Sequence, residues 1–147
     1  MTEQAPTPLR ILFIDDDSFV IDMYTRKLAQ RGHTVQIYSR AVLALDALRK
    51  NLTHQQMYDI LICDLLMPEM SGFDFLKIVH DEHLLEGVPI IILSNQNEAD
   101  DYRKVSEYNV YAAFVKAHSL PDEIVSLIER TYDAYRTPQG RGVIPHQ

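Results

Sequence analysis

Residues Tyr58–Gly72 read YDILICDLLMPEMSG. An all-apolar run, Ile60-Leu61-Ile62-Cys63, stops at a single acid, Asp64. A short run with no polar face is the signature of a strand covered on both sides, as in parallel sheets. Open α/β sheets place ligands at the carboxyl ends of their strands. Asp64 therefore stands at the usual edge for a site, ahead of a loop whose Pro68 disfavours helix. An aspartate that merely begins a turn is common. The other strand ends decide between the two readings.

Working outward, the pattern recurs. Leu9–Ile14 runs into Asp15, Asp16 and Asp17; Val88–Leu93 into Ser94-Asn95; Tyr111–Val115 into Lys116. Thr34–Tyr38 alternates like an edge strand with one wetter face. Between these runs the spacing turns helical. From Ser18 to near Gly32, Phe19, Val20, Met23, Tyr24 and Leu28 share a stripe, and Ala41–Leu52 repeats it through Val42, Leu45, Leu48 and Leu52. A helix after Gly72 carries Phe73, Phe75, Leu76 and Val79, and His80–Gly87 is a polar connection. Ala99–Tyr108 places Tyr102, Val105 and Tyr108 on one side. Leu120–Tyr135 carries Ile124, Leu127, Ile128 and Tyr132, with Ser119 as its cap and Pro121 in its first turn. Strand and helix alternate in units of ~25–30 residues, which predicts right-handed crossovers and a doubly wound α/β parallel sheet. The expected organisation is a loose tail over 1–8, one domain over 9–135, and a tail or linker over 136–147.

Composition narrows the function classes. The 147 residues carry 21 acids against 14 bases, a formal charge of −7. That disfavours direct contact with nucleic acid or an anionic membrane, which call for basic patches. The single cysteine, Cys63, excludes an internal disulfide framework, and its place in an apolar strand makes it core. With no leader, lipidation motif or long apolar stretch in the sequence, a cytoplasmic protein is expected.

Parallel strands bring their carboxyl ends to one edge, so Asp15, Asp16, Asp64, Ser94 and Lys116 are expected to converge. Close carboxylates repel, and a hard divalent cation relieves the repulsion; an oxygen-lined site of this charge suits Mg²⁺. Such an ion shares its positions with phosphate, a lysine ammonium binds phosphate as a point charge, and a serine hydroxyl adds a hydrogen bond. These are the parts of phosphoryl transfer onto an aspartate.

FIDDD after the first strand, Asp64 followed by MPEMSG, then Ser94 and Lys116, resemble the receiver domain of response regulators, the CheY-like superfamily. The resemblance covers roughly residues 9–135. It implies the flavodoxin-like strand order 2-1-3-4-5 and makes Asp64 the phosphoacceptor. By the same resemblance Asp15, Asp16, Asp64 and the backbone carbonyl of Leu66 hold Mg²⁺, and Ser94 and Lys116 sense the phosphoryl group. It further implies a sensor histidine kinase or histidine phosphotransfer protein as donor. A downstream protein would then bind the face made by the Ala99–Tyr108 helix, the Tyr111–Val115 strand and the last helix. The role is signalling, with no reaction beyond its own aspartyl phosphorylation and dephosphorylation.

Three positions depart from the family pattern. Lys116 precedes Ala117 where proline is usual, so a trans bond is expected there. Ala113 stands where an aromatic or hydroxyl residue normally switches. Asn95 replaces a small residue and, with Gln96, is expected to modulate access to the phosphoryl site. Two other readings compete: a pseudo-receiver that docks proteins without phosphorylation, and a haloacid-dehalogenase-type phosphatase using Asp15 as nucleophile and Asp17 as acid. His80 and His83 lack a third ligand and are expected to be solvated. The tyrosines at 102–111 fit either an interaction surface or helix packing.

Overall fold

The computed structural model describes residues 6–50, 58–95, 99–116 and 120–136, with only the backbone of 99–101. The elements run β1 (Arg10–Ile14), α1 (Ser18–Gln30), β2 (Thr34–Tyr38), α2 (Ala41–Lys50), β3 (Ile60–Cys63), α3 (Gly72–Asp81), β4 (Ile90–Ser94), α4 (Ala99–Val105), β5 (Val110–Val115) and α5 (Pro121–Arg136). All strand pairs are parallel, in the order β2-β1-β3-β4-β5. This is the doubly wound sheet that the alternation predicts, and Ser119, Gln96 and the Lys116–Ala117 bond lie outside the described residues.

The apolar runs exist because two cores need them. Leu12, Ile14, Leu61, Cys63, Ile90 and Ile92 point to one face, where Ala41, Leu45, Phe75, Leu76, Val79 and Val105 cover them. Ile11, Phe13, Ile60, Ile62, Ile91 and Leu93 point to the other, beneath Val20, Tyr24, Leu28, Ile124, Val125 and Ile128. Successive strand residues face opposite sides, so a strand between two helical layers has no position left for a polar side chain.

Local signals set the helix ends. The Asp17 carboxylate caps α1, accepting from the Phe19 and Val20 amides at 3.0 and 3.3 Å. Past Arg31 the chain reverses at Gly32, whose φ of 92° suits a residue without Cβ. Ser71 caps α3 by accepting from the Asp74 amide at 3.1 Å.

Two stripe assignments need correction. Phe19 is 74% exposed and Val42 38%, while Ala41 and Ala44 take buried positions on α2. At about 100° per residue, Phe19 falls roughly opposite the buried arc of Val20, Tyr24 and Leu28, and Val42 falls about 100° from that of Ala41, Ala44 and Leu45, so neither belongs to the covered stripe. The tyrosines divide: Tyr102 and Tyr108 pack half-buried against the first core, and Tyr111 is buried with its ring edge-on to Tyr135. His80 and His83 are exposed; His80 lies against the Tyr108 ring and His83 contacts Glu86. No described helix is long and apolar enough to cross a membrane.

Candidate functional site

The carboxyl edge forms an open cleft of about 450 Å³, lined by Asp16, Asp17, Asp64, Leu66, Ser94, Asn95 and Lys116. Four strands deliver these groups. Asp15-Asp16 follow β1, Asp64 follows β3, Ser94 ends β4, and Lys116 follows β5. Oxygens of Asp15, Asp16 and Asp64 lie within 4.8 Å of one another, the one such acidic group among the described residues. Asp15 and Asp64 are buried and Asp16 is exposed, so the cluster opens toward solvent on one side. The acidic cluster and the cleft lining together place Asp15, Asp16, Asp64, Ser94 and Lys116 at one edge. Gln96 lies outside the described residues, and Ala113 sits one layer down, opposite Ile92 and packed against the first core.

Asp64 is held firmly. Its amide donates to the Ile14 carbonyl at 3.0 Å, and its Oδ1 accepts from the Leu65 amide at 2.8 Å. Among the described residues, Oδ2 has a long contact to Lys116 Nζ, 3.4 Å. The β3–α3 connection folds back so tightly that a Cβ on Gly72 would lie 2.1 Å from the Asp64 carbonyl oxygen and 2.8 Å from Leu65 Cα. Only glycine allows that approach, which the Gly72 amide closes by donating to Leu65 O at 2.8 Å. The dipeptide Ser71-Gly72 marks a helix start in sequence; its service to Asp64 has no local signal.

Lys116 Nζ lies 2.6 Å from Asp15 Oδ2, closer than to Asp64. Asp15 Oδ2 is nevertheless a buried atom without a hydrogen bond of proper geometry. Distance makes the contact an ion pair, and direction denies it the rest. Asp15 Oδ1 accepts from the Asp17 amide at 2.9 Å. Burial pushes the Asp15 carboxyl up to about 6, against the pull of Lys116 and the Asp17 amide, with Asp64 adding to the rise. For Lys116 burial acts downward, but the Asp15 and Asp64 carboxylates outweigh it and hold the ammonium above its ordinary value. The pair moves in the same direction because Asp15, with no exposed surface, loses more solvation than one ammonium restores.

Buried acids crowded on one cation, with negative charge in excess, fit a hard divalent ion bound by oxygen. Asp17 is a different kind of acid. Its carboxylate serves the α1 amides as a cap, which leaves it poorly placed to protonate a leaving group and weakens the phosphatase alternative. The Cys63 thiol, pushed up by burial and then by Asp64 and Asp15, is inert core.

A second buried ionic group, without a signal in the sequence, lies at the amino edge of the sheet. His33, with no exposed side-chain surface, accepts from the Leu9 amide through Nδ1 at 3.0 Å. That bond leaves Nε2 carrying the hydrogen, which it donates to Glu129 Oε2 at 2.7 Å. Arg31 closes the group with a two-pronged contact to Glu129, 3.0 Å from Nε and 2.6 Å from Nη2. Burial alone would raise the Glu129 carboxyl; Arg31 and then His33 more than reverse this and hold it below its ordinary value. A histidine after a glycine turn and a glutamate mid-helix carry no mutual signal in sequence.

Comparison with known proteins places the arrangement. The chain is 22% identical to the chemotaxis protein CheY4 of Vibrio cholerae, with a TM-score of 0.73 over 85% of this chain and 99% of that one, a likeness of fold. A putative response regulator from Chloroflexus aurantiacus is 28% identical, with a TM-score of 0.72 over 86% and 99%. Among curated proteins, the two-component response regulator ORR23 of Oryza sativa subsp. indica is 34% identical over 96 residues. The 3',5'-cyclic-nucleotide phosphodiesterase regA of Dictyostelium discoideum is 29% identical over 105 residues. The matches take in 65% and 71% of this chain but 13% of either relative. The sequence profile of the response regulator receiver domain matches residues 11–129. With its sheet order, its acid-lined carboxyl edge and that match, the chain belongs to the response regulator receiver domain family.

Proposed function

We propose that this receiver takes a phosphoryl group onto Asp64, with Mg²⁺ held by Asp15, Asp16, Asp64 and the Leu66 carbonyl. The observation that carries the reading is the partly neutralised cluster: three acids share one ammonium, and a buried oxygen of Asp15 lacks a hydrogen bond. Bound Mg²⁺ would offset the charge of the acids and of the incoming phosphoryl oxygens. The residues do the rest. The Leu65 amide fixes the Asp64 carboxylate through Oδ1, leaving Oδ2 to attack phosphorus. With a phosphohistidine donor, the O–P bond forms as the P–N bond breaks, and the imidazole keeps the electron pair. Lys116 and the Ser94 hydroxyl then bind phosphoryl oxygens, drawing the lysine from Asp15.

The donor is a sensor histidine kinase or a histidine phosphotransfer protein. Phe19, Leu66 and Leu120 are exposed large apolar residues on this same edge, a surface suited to a protein partner. The face of α4, β5 and α5 would carry the signal to a downstream protein. Ala113 has no rotamer to change, so the response would travel through Ser94 and α4.

Intact-mass measurement after acetyl phosphate tests the reading. One phosphoryl mass is expected with Mg²⁺, none without it, and none on Asp64→Asn. Label retained by that variant, or found on Asp15, overturns the assignment.

A further inference from the structure

We infer that the His33–Glu129–Arg31 cluster latches α5 to the amino edge of the sheet, so that phosphorylation moves α4 while α5 stays fixed. The inference rests on the phosphoacceptor reading above and narrows it, since the output face then divides into a moving half and a static half.

The latch holds α5 along its length. At its start, Asp122 pairs with Lys27 of α1 at 2.7 Å. In its middle, Glu129 is tied to Arg31 at the end of α1 and to His33 at the start of β2, and the same imidazole takes the Leu9 amide ahead of β1. Near its end, the Tyr135 hydroxyl donates to the Gly87 carbonyl at 2.5 Å, and its ring meets Tyr111 edge-on with centroids 4.6 Å apart. Ile124, Val125 and Ile128 are buried between these ties.

Rotating or sliding α5 would pull Glu129 from two donors at once. One of them, His33 Nε2, is shut off from solvent and would be left unsatisfied. A buried donor without a partner carries the full cost of desolvation, so the cluster opposes small displacements as well as large ones. The imidazole cannot compensate by turning, because its other nitrogen is engaged by the Leu9 amide.

The attachment of α4 is different in kind. Of its described side chains only Val105 is fully buried; Tyr102 is half-buried, Arg103 and Lys104 are exposed, and Lys104 lies 5.5 Å from the Phe73 ring centroid of α3. Just past the helix, the Tyr108 and His80 rings lie 5.1 Å apart. Such contacts tolerate sliding, since none leaves a buried polar group without a partner. β4 reaches the cleft at Ser94 and is followed in the chain by α4, whereas no described residue of α5 lines the cleft. Ala113, between the cleft and the helices, offers no bulky side chain to push either one.

Amide exchange on the full chain, with and without beryllofluoride plus Mg²⁺, is the test. In the wild type, exchange is expected to change over 99–108 and to stay constant over 121–136. A change over 121–136 as large as that over 99–108 overturns the latch. Glu129→Gln keeps the side-chain volume and removes the charge; α5 amides are then expected to exchange about tenfold faster without any phosphoryl mimic. In that variant α5 should also begin to respond to beryllofluoride, which loss of stability alone would not produce. Unchanged α5 exchange in Glu129→Gln overturns the latch, and this arm decides it even where Asp64 fails to bind beryllofluoride. That failure would count against the phosphoacceptor reading instead. Lys27→Met, which loosens only the exposed first tie, is expected to leave α5 exchange within about twofold of wild type.

Discussion

Two buried ionic groups sit at opposite edges of one sheet, and they are built to different rules. At the amino edge, Glu129 is met by Arg31 and by a histidine whose second nitrogen is also engaged, so each buried polar atom has a partner and the charges balance. At the carboxyl edge, three aspartates share one lysine, Asp15 Oδ2 lacks a hydrogen bond, and the negative charge is in excess. Burial raises Asp15, while partners hold Glu129 low. A complete cluster supports the fold. An incomplete one is unfavourable by itself, and the proposed binding of a cation and a phosphoryl group would draw on that imbalance.

The contrast can be broken most forcefully at the two glycines that flank these groups. Gly72→Ala puts a methyl group into the Asp64 backbone, where nothing flexible can yield. We expect a loss of about 3 kcal/mol or more in urea unfolding, together with loss of phosphorylation. Gly32→Ala meets no atom within 4 Å and adds only left-handed strain, about 1–2 kcal/mol. Equal costs for the two would mean that the carboxyl edge relaxes more easily than its packing implies.

Glu129→Ala comes next, at about 3 kcal/mol, the lower end for breaking a buried pair because half of the Arg31 side chain remains hydrated. Its contribution should also fade in acid. The folded carboxyl lies below its unfolded value, so the stabilisation is present above about 4.5 and lost as pH falls through the folded value. A cost unchanged between pH 7 and pH 3 contradicts the ion-pair account.

Asp15 should show the opposite slope. Its folded value, about 6, lies above the unfolded 3.8. Between those values the folded protein binds more protons, so stability falls as pH rises, by at most about 3 kcal/mol, and levels off above 6. In chelator, Asp15→Asn is therefore expected to be the more stable protein at pH 7 by about 2 kcal/mol. The gap should close toward pH 4, and Mg²⁺ should raise the melting temperature of the wild type alone. A variant less stable at pH 7 would mean that Lys116 depends on Asp15 more than Asp15 suffers from burial.

The smallest effect concerns access. Asn95 is exposed on the cleft, and Asn95→Ala should speed phosphorylation by acetyl phosphate a few-fold, roughly the scale of a 1 kcal/mol barrier. An unchanged rate assigns the side chain to the rim rather than to the path.

What the sequence determined by itself is the sheet and the set of polar groups that meet at its carboxyl edge. Ile60–Cys63, Ile90–Leu93 and their neighbours can be apolar throughout only where helices cover both sides, and a parallel sheet then gathers Asp15, Asp16, Asp64, Ser94 and Lys116 without further instruction. These signals are local, so they can be read one strand at a time. Tertiary structure decided whatever depends on two distant segments meeting. Which arc of α1 is covered, that of Val20, Tyr24 and Leu28 and not that of Phe19, depends on where the helix meets the sheet. Lys116 lies nearer to Asp15 than to Asp64, a choice made by tenths of an ångström in the strand ends. Gly72 is required by a carbonyl eight residues earlier. His33 and Glu129, 96 residues apart, become partners only because α5 crosses back over α1 to the start of β2. Hydrogen bonds and ion pairs act over a few ångströms, and only the folded chain sets which groups fall within that range.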